Sequence, residues 1–161
     1  MEKVAVFPGS FDPFTIGHES VLKRALPLFD KIIVMLGVND AKKYLFPIEV
    51  RKQMIETLFA EVPAIEVSIY NGLTVDFCKQ VGATHILRGL RTAADFEYER
   101  AIAQVNKKMY NNIETVFLLT LPEHTPVNSS VVRDILKHKG DISMFIPDRL
   151  DIKKYLGNDN D

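Results

Sequence analysis

Residues 4–18 read VAVFPGSFDPFTIGH, and this stretch decides how the rest of the chain is interpreted. Its first four residues are wholly apolar and predict a short buried strand. Residues 8–17 then hold two glycines and two prolines, which is more than a simple turn requires. His18 follows at the start of a predicted helix. The excess indicates that this loop meets a special geometry, binds a ligand, or does both.

The chain has 161 residues, of which 47% are hydrophobic and 25% are charged, as in ordinary globular proteins. This length favours a single domain over residues 1–161. The net charge of -1 gives no field for binding nucleic acid or a membrane, so neither is expected as a partner. The one cysteine, Cys78, excludes an intrachain disulfide and fits the cytoplasm, where we expect the protein to work.

Five apolar runs alternate with helical patterns along the chain. Strands are predicted at 4–7, 31–36, 65–69, 85–87 and 115–119. Almost continuously apolar strands are typical of a parallel sheet that is covered on both faces. The predicted fold is therefore α/β, a Rossmann-like, doubly wound, five-stranded parallel sheet with helices on both faces. A last helix is predicted at 148–156, and the polar tail 157–161 is predicted to be disordered.

Helical periodicity also predicts which residues share a face and where helices begin and end. Thr15 is predicted to cap the first helix, Gly82 to end the third, and Ser129 to cap the one after the fifth strand. The second helix repeats apolar residues at Val50, Met54, Leu58 and Phe59. The fourth carries an apolar stripe at Ala94, Tyr98, Ala101, Ile102, Val105 and Met109.

Ligands of open α/β sheets bind beyond the carboxyl ends of the strands. At this edge the sequence has hydroxyl groups, cations and helix starts, all of which bind anions. The segments at this edge contain Ser10, Asp12, Lys42, Lys43, Arg88, Arg91 and His124, with His18, Ser129 and Ser130 at helix starts. This edge is therefore predicted to bind phosphates. Neither GxxxxGK[ST] nor a GxGxxG after the first strand is present, so the common phosphate loops are excluded.

Taken one at a time, these residues allow simpler interpretations. His18 has helical spacing to an apolar face and could be a core histidine. Arg88 and Arg91 could pair with acidic residues of the next helix, at Asp95 and Glu97. The remaining histidines lack the spacing of metal ligands, so no protein-bound metal is assigned. The hydroxyl groups, cations and helix starts nevertheless share one edge of the sheet, and this common position favours the functional interpretation.

Three motifs also carry a family resemblance. TIGH at 15–18 resembles the T/HxGH signature of the nucleotidyltransferase superfamily. RGLRTAADFEYE at 88–99 resembles the RGLR-x-x-x-DFEYE block of the bacterial phosphopantetheine adenylyltransferase family. SSVVR at 129–133 resembles the ISSTxxR segment of the superfamily. The match extends over nearly the whole chain, and RGLR with DFEYE narrows the superfamily to this one family.

The resemblance implies a reversible transfer of the adenylyl group from ATP to 4′-phosphopantetheine, giving dephospho-coenzyme A and pyrophosphate. It further implies Mg²⁺ accompanying ATP, inhibition by coenzyme A and a homohexamer. Implied catalytic residues are His18, Lys42 and Arg91. Implied ATP-binding residues are Ser10, Phe11, His18, Gly89, Leu90, Arg91, Glu99, His124, Thr125, Pro126, Val127, Asn128, Ser129 and Ser130. Implied substrate-binding residues are Ser10, Lys42, Thr74 and Arg88.

The sequence departs from the family pattern at three places. Ser10 stands where many relatives have threonine, which keeps the hydroxyl group. Asn128 replaces the first serine of ISS, and the segment 124–126 lacks an aromatic residue often found there. The alternatives are adenylyl transfer to a nicotinate or nicotinamide mononucleotide, cytidylyl transfer to a phosphorylated alcohol, or a nucleotide-binding regulatory module without catalysis.

Overall fold

The computed structural model describes residues 1–157, so residues 158–161 of the predicted disordered tail lie outside the described part. Strands and helices alternate along the chain. They are β1 (Val4–Gly9), α1 (Ile16–Ala25), β2 (Lys31–Gly37), α2 (Ile48–Leu58), β3 (Ile65–Tyr70), α3 (Thr74–Val81), β4 (His85–Leu90), α4 (Ala93–Met109), β5 (Glu114–Leu119) and α5 (Ser129–Lys137). Short 3-10 turns cover Leu26–Leu28, Pro122–His124 and Ile152–Lys154.

The five strands form one parallel sheet in the order β3-β2-β1-β4-β5. This order is that of a doubly wound sheet, and it confirms the fold predicted from the alternating pattern. The chain leaves β1 towards β2 and β3, and later returns to β4 on the other side of β1. The point where the direction reverses lies between β1 and β4, and this is where open α/β sheets bind their ligands.

Alternation along the central strands gives the sheet two apolar faces. In β1, Ala5 and Phe7 belong to the larger cluster, which α1, α2 and α5 cover. Val4 and Val6 point the other way, into a smaller cluster that contains Phe77 of α3. Both faces therefore bury side chains, which explains why the strand sequences are continuously apolar instead of alternating.

Two helix ends agree with the sequence. The Thr15 side chain accepts from the His18 backbone and caps α1. Gly82 ends α3 with φ of +69°, a left-handed conformation that favours glycine.

Three boundaries differ from the prediction. β4 extends through Leu90 and not only to Leu87, so Arg88 projects from the strand itself. Asn128, and not Ser129, caps α5, because its side-chain oxygen accepts from the Val131 backbone. The helix predicted at 148–156 is wrong, since that segment forms only a 3-10 turn at Ile152–Lys154.

The stripe predicted on α4 is present, but it faces outward. Tyr98 is 69% exposed and Val105 is 54% exposed, and Ile102 and Met109 are exposed as well. The one buried residue of α4 is Glu99, which is 9% exposed. The position of α4 on the sheet therefore depends partly on a charged group. Within residues 1–157, no helix has both the length and the apolar character needed to cross a membrane.

Candidate functional site

The site begins where β1 and β4 separate. Their pairing is confined to Ala5 with His85 and Val6 with Ile86. Beyond this point β1 continues into Pro8, which has no backbone N–H to donate to a ladder. The Pro8 carbonyl instead accepts from Arg88 Nη1 at 2.5 Å. A guanidinium thus lies in the cleft between the two strands.

Arg88 is held from a second side by Glu99 of α4. Its Nε and Nη2 donate to the two carboxylate oxygens at 3.0 and 2.6 Å, which is a bidentate pair. Arg91 pairs with Asp95, with 3.3 Å between Nε and Oδ2. Both arginines therefore form ion pairs with α4, as the simpler interpretation expects. Arg91 uses one of the two expected acids, Asp95, whereas Arg88 pairs with Glu99 instead. The ion pairs hold both guanidinium groups in place, and both groups still lie at the cleft.

The loop from β1 to α1 is folded tightly around Phe11. This residue has φ of +49°, which is costly for a bulky side chain. Its ring turns back over Gly9, where an added Cβ would lie 2.7 Å from the ring tip. The ring also contacts Phe7 and Phe14, so it is buried. Gly9 is therefore needed for the close approach of the Phe11 ring.

His18 completes the cap of α1 with its own side chain. The Thr15 backbone N–H donates to His18 Nδ1 at 3.0 Å, while the Thr15 hydroxyl accepts from the His18 backbone. Since Nδ1 accepts this hydrogen bond, a neutral imidazole carries its proton on Nε2. Nε2–H is consequently the donor that His18 can offer to a ligand.

The surroundings of His18 keep this ring neutral. Its edge packs on Phe11 with 5.0 Å between ring centroids, and Phe14 lies on another side at 5.4 Å. Burial, and then the charges of Arg88 and Arg91, lower the His18 pKa from 6.5 to about 3. Near neutral pH, His18 is thus a neutral hydrogen-bond donor and not a cation.

Three carbonyl oxygens of the β1–α1 loop accept hydrogen bonds from side chains of α2 and α5. The pairs are Ser10 O with Arg51 Nη1 at 2.6 Å, Asp12 O with Arg133 Nη1 at 3.0 Å, and Pro13 O with Ser129 Oγ at 2.9 Å. These contacts turn the carbonyl oxygens away from the cleft. They also use the Ser129 hydroxyl proton, which leaves its backbone N–H for a ligand.

Arg51 is a structural partner of the site that sequence reasoning missed, and Asp12, which the sequence places at this edge of the sheet, has a structural role that was not predicted. Arg51 is 1% exposed and Asp12 is 2% exposed. A detectable signal existed, because Arg51 shares helical spacing with Met54, Ile55 and Leu58, the buried face of α2. The prediction instead placed Val50 on that face, since an arginine is ordinarily assigned to the solvent side.

Two cavities open on either side of Arg88. The first has a volume of about 370 Å³ and is lined by all four residues predicted to bind the acceptor: Ser10, Lys42, Thr74 and Arg88. The second has a volume of about 350 Å³ and is lined by ten residues predicted to bind ATP: Ser10, Phe11, His18, Gly89, Arg91, Glu99, Val127, Asn128, Ser129 and Ser130. Ser10, Arg88 and Glu99 line both cavities.

Four of the residues predicted to bind ATP do not line either cavity. Leu90 is buried at the end of β4. His124, Thr125 and Pro126 lie on the segment that leads to α5. His124 lies near the start of α1, since a Cβ added to Gly17 would be 3.9 Å from the His124 Cβ.

Comparison with known proteins identifies the family. Residues 6–135 match the family model described as Cytidylyltransferase-like. The chain is 52% identical to the phosphopantetheine adenylyltransferase of Flavobacterium johnsoniae, over 93% of this chain and 98% of the relative. It is 51% identical to the enzyme of that name from Bacteroides thetaiotaomicron, over 92% of this chain and 97% of the relative.

The chain belongs to the phosphopantetheine adenylyltransferase family.

This membership confirms the resemblance carried by TIGH at 15–18 and by the RGLR and DFEYE blocks at 88–99. A more distant phosphopantetheine adenylyltransferase, from Caldanaerobacter subterraneus, is still 44% identical over 91% of both chains. Among solved structures, a candidate nicotinate-nucleotide adenylyltransferase from Vibrio parahaemolyticus superposes with a TM-score of 0.70. It is 18% identical and covers 91% of this chain and 87% of its own length, which supports the fold alone.

The state of His18 gives a prediction for the free protein. Heteronuclear NMR of the imidazole should show the Nε2–H form at pH 7 and a pKa of about 3, compared with 6.5 for an exposed histidine. Between pH 6.5 and about 3 the unfolded state binds one more proton than the folded state at this site. The free energy of unfolding should therefore fall with falling pH, by up to about 1.4 kcal/mol per pH unit from this group.

The control is His18→Gln, which cannot titrate and should lack this part of the pH dependence of stability. A His18 pKa near 6.5, or equal pH dependence in both proteins, would contradict the prediction.

Proposed function

We propose that this chain transfers the adenylyl group of ATP reversibly to 4′-phosphopantetheine, giving dephospho-coenzyme A and pyrophosphate. The observation that carries the proposal is the pair of cavities that share Ser10 and Arg88. Two phosphate-bearing substrates bound in these cavities would meet at their common wall. Family membership supports the choice of this reaction over transfer to a mononucleotide.

The chemistry demands alignment more than acid–base catalysis. A phosphate oxygen of the acceptor is already ionised near neutral pH, so it can attack the α-phosphorus of ATP directly. A new P–O bond forms to the acceptor, and the bond from the α-phosphorus to the bridging oxygen breaks, so that pyrophosphate leaves. The protein must bring two polyanions together and stabilise the negative charge of the transition state.

His18 is proposed to stabilise that charge through Nε2–H. The hydrogen bond from Thr15 to Nδ1 holds the ring in this tautomer before any substrate binds. Because the donor is fixed in advance, the reaction does not have to reorganise it. The neutral state also suits a donor that must not form a permanent ion pair with ATP.

The proposed ATP site is the second cavity. At the starts of α1 and α5, backbone N–H groups favour the binding of anions in this cavity. Arg91 is proposed to bind the phosphates, with Gly89 allowing close approach. The other proposed contacts are Ser10, Phe11, Leu90, Glu99 and residues 124–130. Glu99 is an anion held by Arg88, so its effect on ATP is proposed to act through that arginine.

The proposed acceptor site is the first cavity, with Ser10, Lys42, Thr74 and Arg88 as its contacts. Lys42 lies on the exposed loop after β2. Its ammonium group is proposed to bind the acceptor phosphate and to offset repulsion between the two substrates. Coenzyme A contains the same pantetheine group, so we propose that it competes for this cavity as an inhibitor.

Mg²⁺ is proposed to enter with ATP. Asp95 and Glu99, the acidic residues that line the second cavity, are both paired with arginines. These carboxylates are therefore poorly suited to bind a metal ion directly. The cavity better fits a cation that is held by the ATP phosphates. When bound, Mg²⁺ would neutralise phosphate charge. The protein is proposed to work in the cytoplasm, which the single buried thiol of Cys78 suits.

A homohexamer is proposed for the assembled protein. The exposed stripe of α4, together with Leu119 at 72% exposure, gives the apolar surface such an assembly needs. Tyr98 and Ile102 of this stripe also line the acceptor cavity. A neighbouring copy on this surface would then lie next to the substrate.

Replacing Val105 with glutamate tests the assembly. A charge in the middle of the stripe should dissociate the hexamer, because an unpaired carboxylate is costly to bury. Sedimentation velocity should show a hexamer for the wild type and a smaller species for Val105→Glu. The matched control is Gln104→Glu, which adds the same charge at an exposed position of the same helix outside the stripe. A wild-type protein that sediments as a stable monomer would exclude the hexamer.

Pyrophosphate release tests the reaction. ATP and Mg²⁺ should be supplied with 4′-phosphopantetheine, with nicotinamide mononucleotide, or with no acceptor. Release is expected only with phosphopantetheine, together with dephospho-coenzyme A detected by mass spectrometry. Release with the mononucleotide would keep the reaction class but overturn the acceptor. ATP binding without release in any mixture would favour a regulatory module.

Replacing His18 with alanine separates catalysis from binding. Loss of one preorganised donor to a developing charge should lower kcat by about 10²–10³. Equilibrium binding of ATP should change little, because α1, α5 and Arg91 remain in place. Comparable losses in kcat and in ATP affinity would argue that His18 serves ground-state binding instead.

A further inference from the structure

Arg51 is the most deeply buried charged side chain near the site, and the proposed reaction gives it no role. Its Nε donates to the Phe46 carbonyl at 3.0 Å and its Nη1 donates to the Ser10 carbonyl at 2.6 Å. Its guanidinium lies over the ring of Tyr44, 4.0 Å from the ring centre. One side chain of α2 therefore joins the loop after β1 to the loop after β2.

Asp12 joins the same two loops in the opposite direction. Its Oδ2 accepts from the Leu45 backbone at 2.8 Å and its Oδ1 accepts from the Phe46 backbone at 2.9 Å. Arg51 and Asp12 thus hold the loop after β2 through both its carbonyl and its N–H groups. We call Asp12, Tyr44 and Arg51 the loop clasp.

Folding alone does not explain a charge at this position. The neighbours of Arg51 on α2 are Met54, Ile55 and Leu58, which are apolar and buried. Burying a guanidinium costs free energy that the contacts only partly return, and an apolar residue often serves stability as well or better. Burial lowers the pKa of Arg51, while Asp12 and Tyr44 oppose that change. What an apolar residue cannot provide is a fixed geometry between two carbonyl oxygens.

Each of the joined loops carries a residue of the site. Ser10 lines both cavities and is itself the residue whose carbonyl Arg51 holds. Lys42 lines the acceptor cavity, three residues before the first amide that Asp12 binds. The loop around Lys42 is otherwise fixed at its start, where the Val38 amide donates to the Tyr70 carbonyl. The loop clasp is therefore the second anchor of the segment that carries Lys42.

We propose that Arg51 is a positioning residue that, through the loop clasp, sets the distance between Lys42 and the β1–α1 loop and so aligns the acceptor phosphate with ATP. This role rests on the proposed function. It does not make Arg51 a catalytic residue, because Arg51 touches neither cavity. Misalignment by about 1 Å between reacting groups can lower a rate about 100-fold, which is the scale of the expected effect.

Arg51→Met tests the proposal, because methionine is long and apolar and suits the neighbouring core. Hydrogen–deuterium exchange without substrates should rise about tenfold or more in residues 9–15 and 38–46, with α3 and β5 unchanged. In the complete enzyme, kcat should fall about 10–100-fold and the KM for phosphopantetheine should rise. The equilibrium dissociation constant for ATP should stay within about threefold, since only Ser10 and Phe11 among its proposed contacts lie on the loosened loops.

Lys52→Met is the matched control, since it removes a charge from the adjacent position of α2, where Lys52 pairs only with Glu56 at the surface. It should leave exchange and kinetics unchanged. Arg51→Lys is the second variant, to be used if Arg51→Met does not fold. Lysine keeps the charge but lacks the planar fork, so it should preserve folding while retaining the loss of kcat.

Three results would overturn the proposal: unchanged exchange in both loops, unchanged kcat and KM, or a parallel loss of ATP affinity, kcat and thermal stability. The third would mean that Arg51 only supports the fold. Failure of the proposed function is distinguishable, because the wild-type protein would then release no pyrophosphate with phosphopantetheine. The exchange measurement uses no substrate and still decides whether the loop clasp holds the two loops.

Discussion

The structure depends on how the carbonyl oxygens of the β1–α1 loop are satisfied. A loop that receives phosphates must present N–H groups and cations to them and direct its carbonyl oxygens elsewhere. Within Ser10–Pro13, three carbonyl oxygens accept from Arg51, Ser129 and Arg133, which α2 and α5 supply. Helices from distant parts of the chain are thus required for the local shape of one short loop. The packing of α2 and α5 on the sheet consequently determines the electrostatics of the cleft.

The side chain of His18 has both a structural role and a proposed chemical role. Its Nδ1 satisfies the Thr15 N–H at the end of α1, and this contact selects the tautomer that leaves Nε2–H available. A glutamate or glutamine at this third helical position could close the cap in the same way. Glutamate would then have no N–H to donate, and glutamine would offer its amide N–H from a more flexible stem than the rigid imidazole ring. The capping box therefore links the geometry of the helix end to the chemistry proposed there.

The sequence predicted the parallel sheet and the residues around the cleft because apolar strands and terminal glycines are local signals. The sequence did not predict features that depend on a partner far away along the chain. The predicted β4 ends at Leu87, before the charged Arg88. A strand can nevertheless continue through an arginine when a glutamate and a carbonyl group accept its hydrogen bonds. Arg51 was missed because a charged residue is assigned to the solvent side of a helix. The exposed α4 stripe shows a third limit, since periodicity does not distinguish a helix face packed in the core from an apolar face that stays exposed.

The distribution of charge around the cleft differs between its two sides. Arg88 and Arg91 are paired with Glu99 and Asp95, so their positions are fixed in the free protein. Lys42 is exposed, and no carboxylate of residues 1–157 lies within 4.0 Å of its ammonium group. A lysine on a loop keeps the rotamer freedom of its four-carbon stem. Under the proposed function, ATP would meet arginines whose positions are set by ion pairs. The acceptor would also meet Arg88, but it would depend in addition on how firmly the loop that carries Lys42 is held.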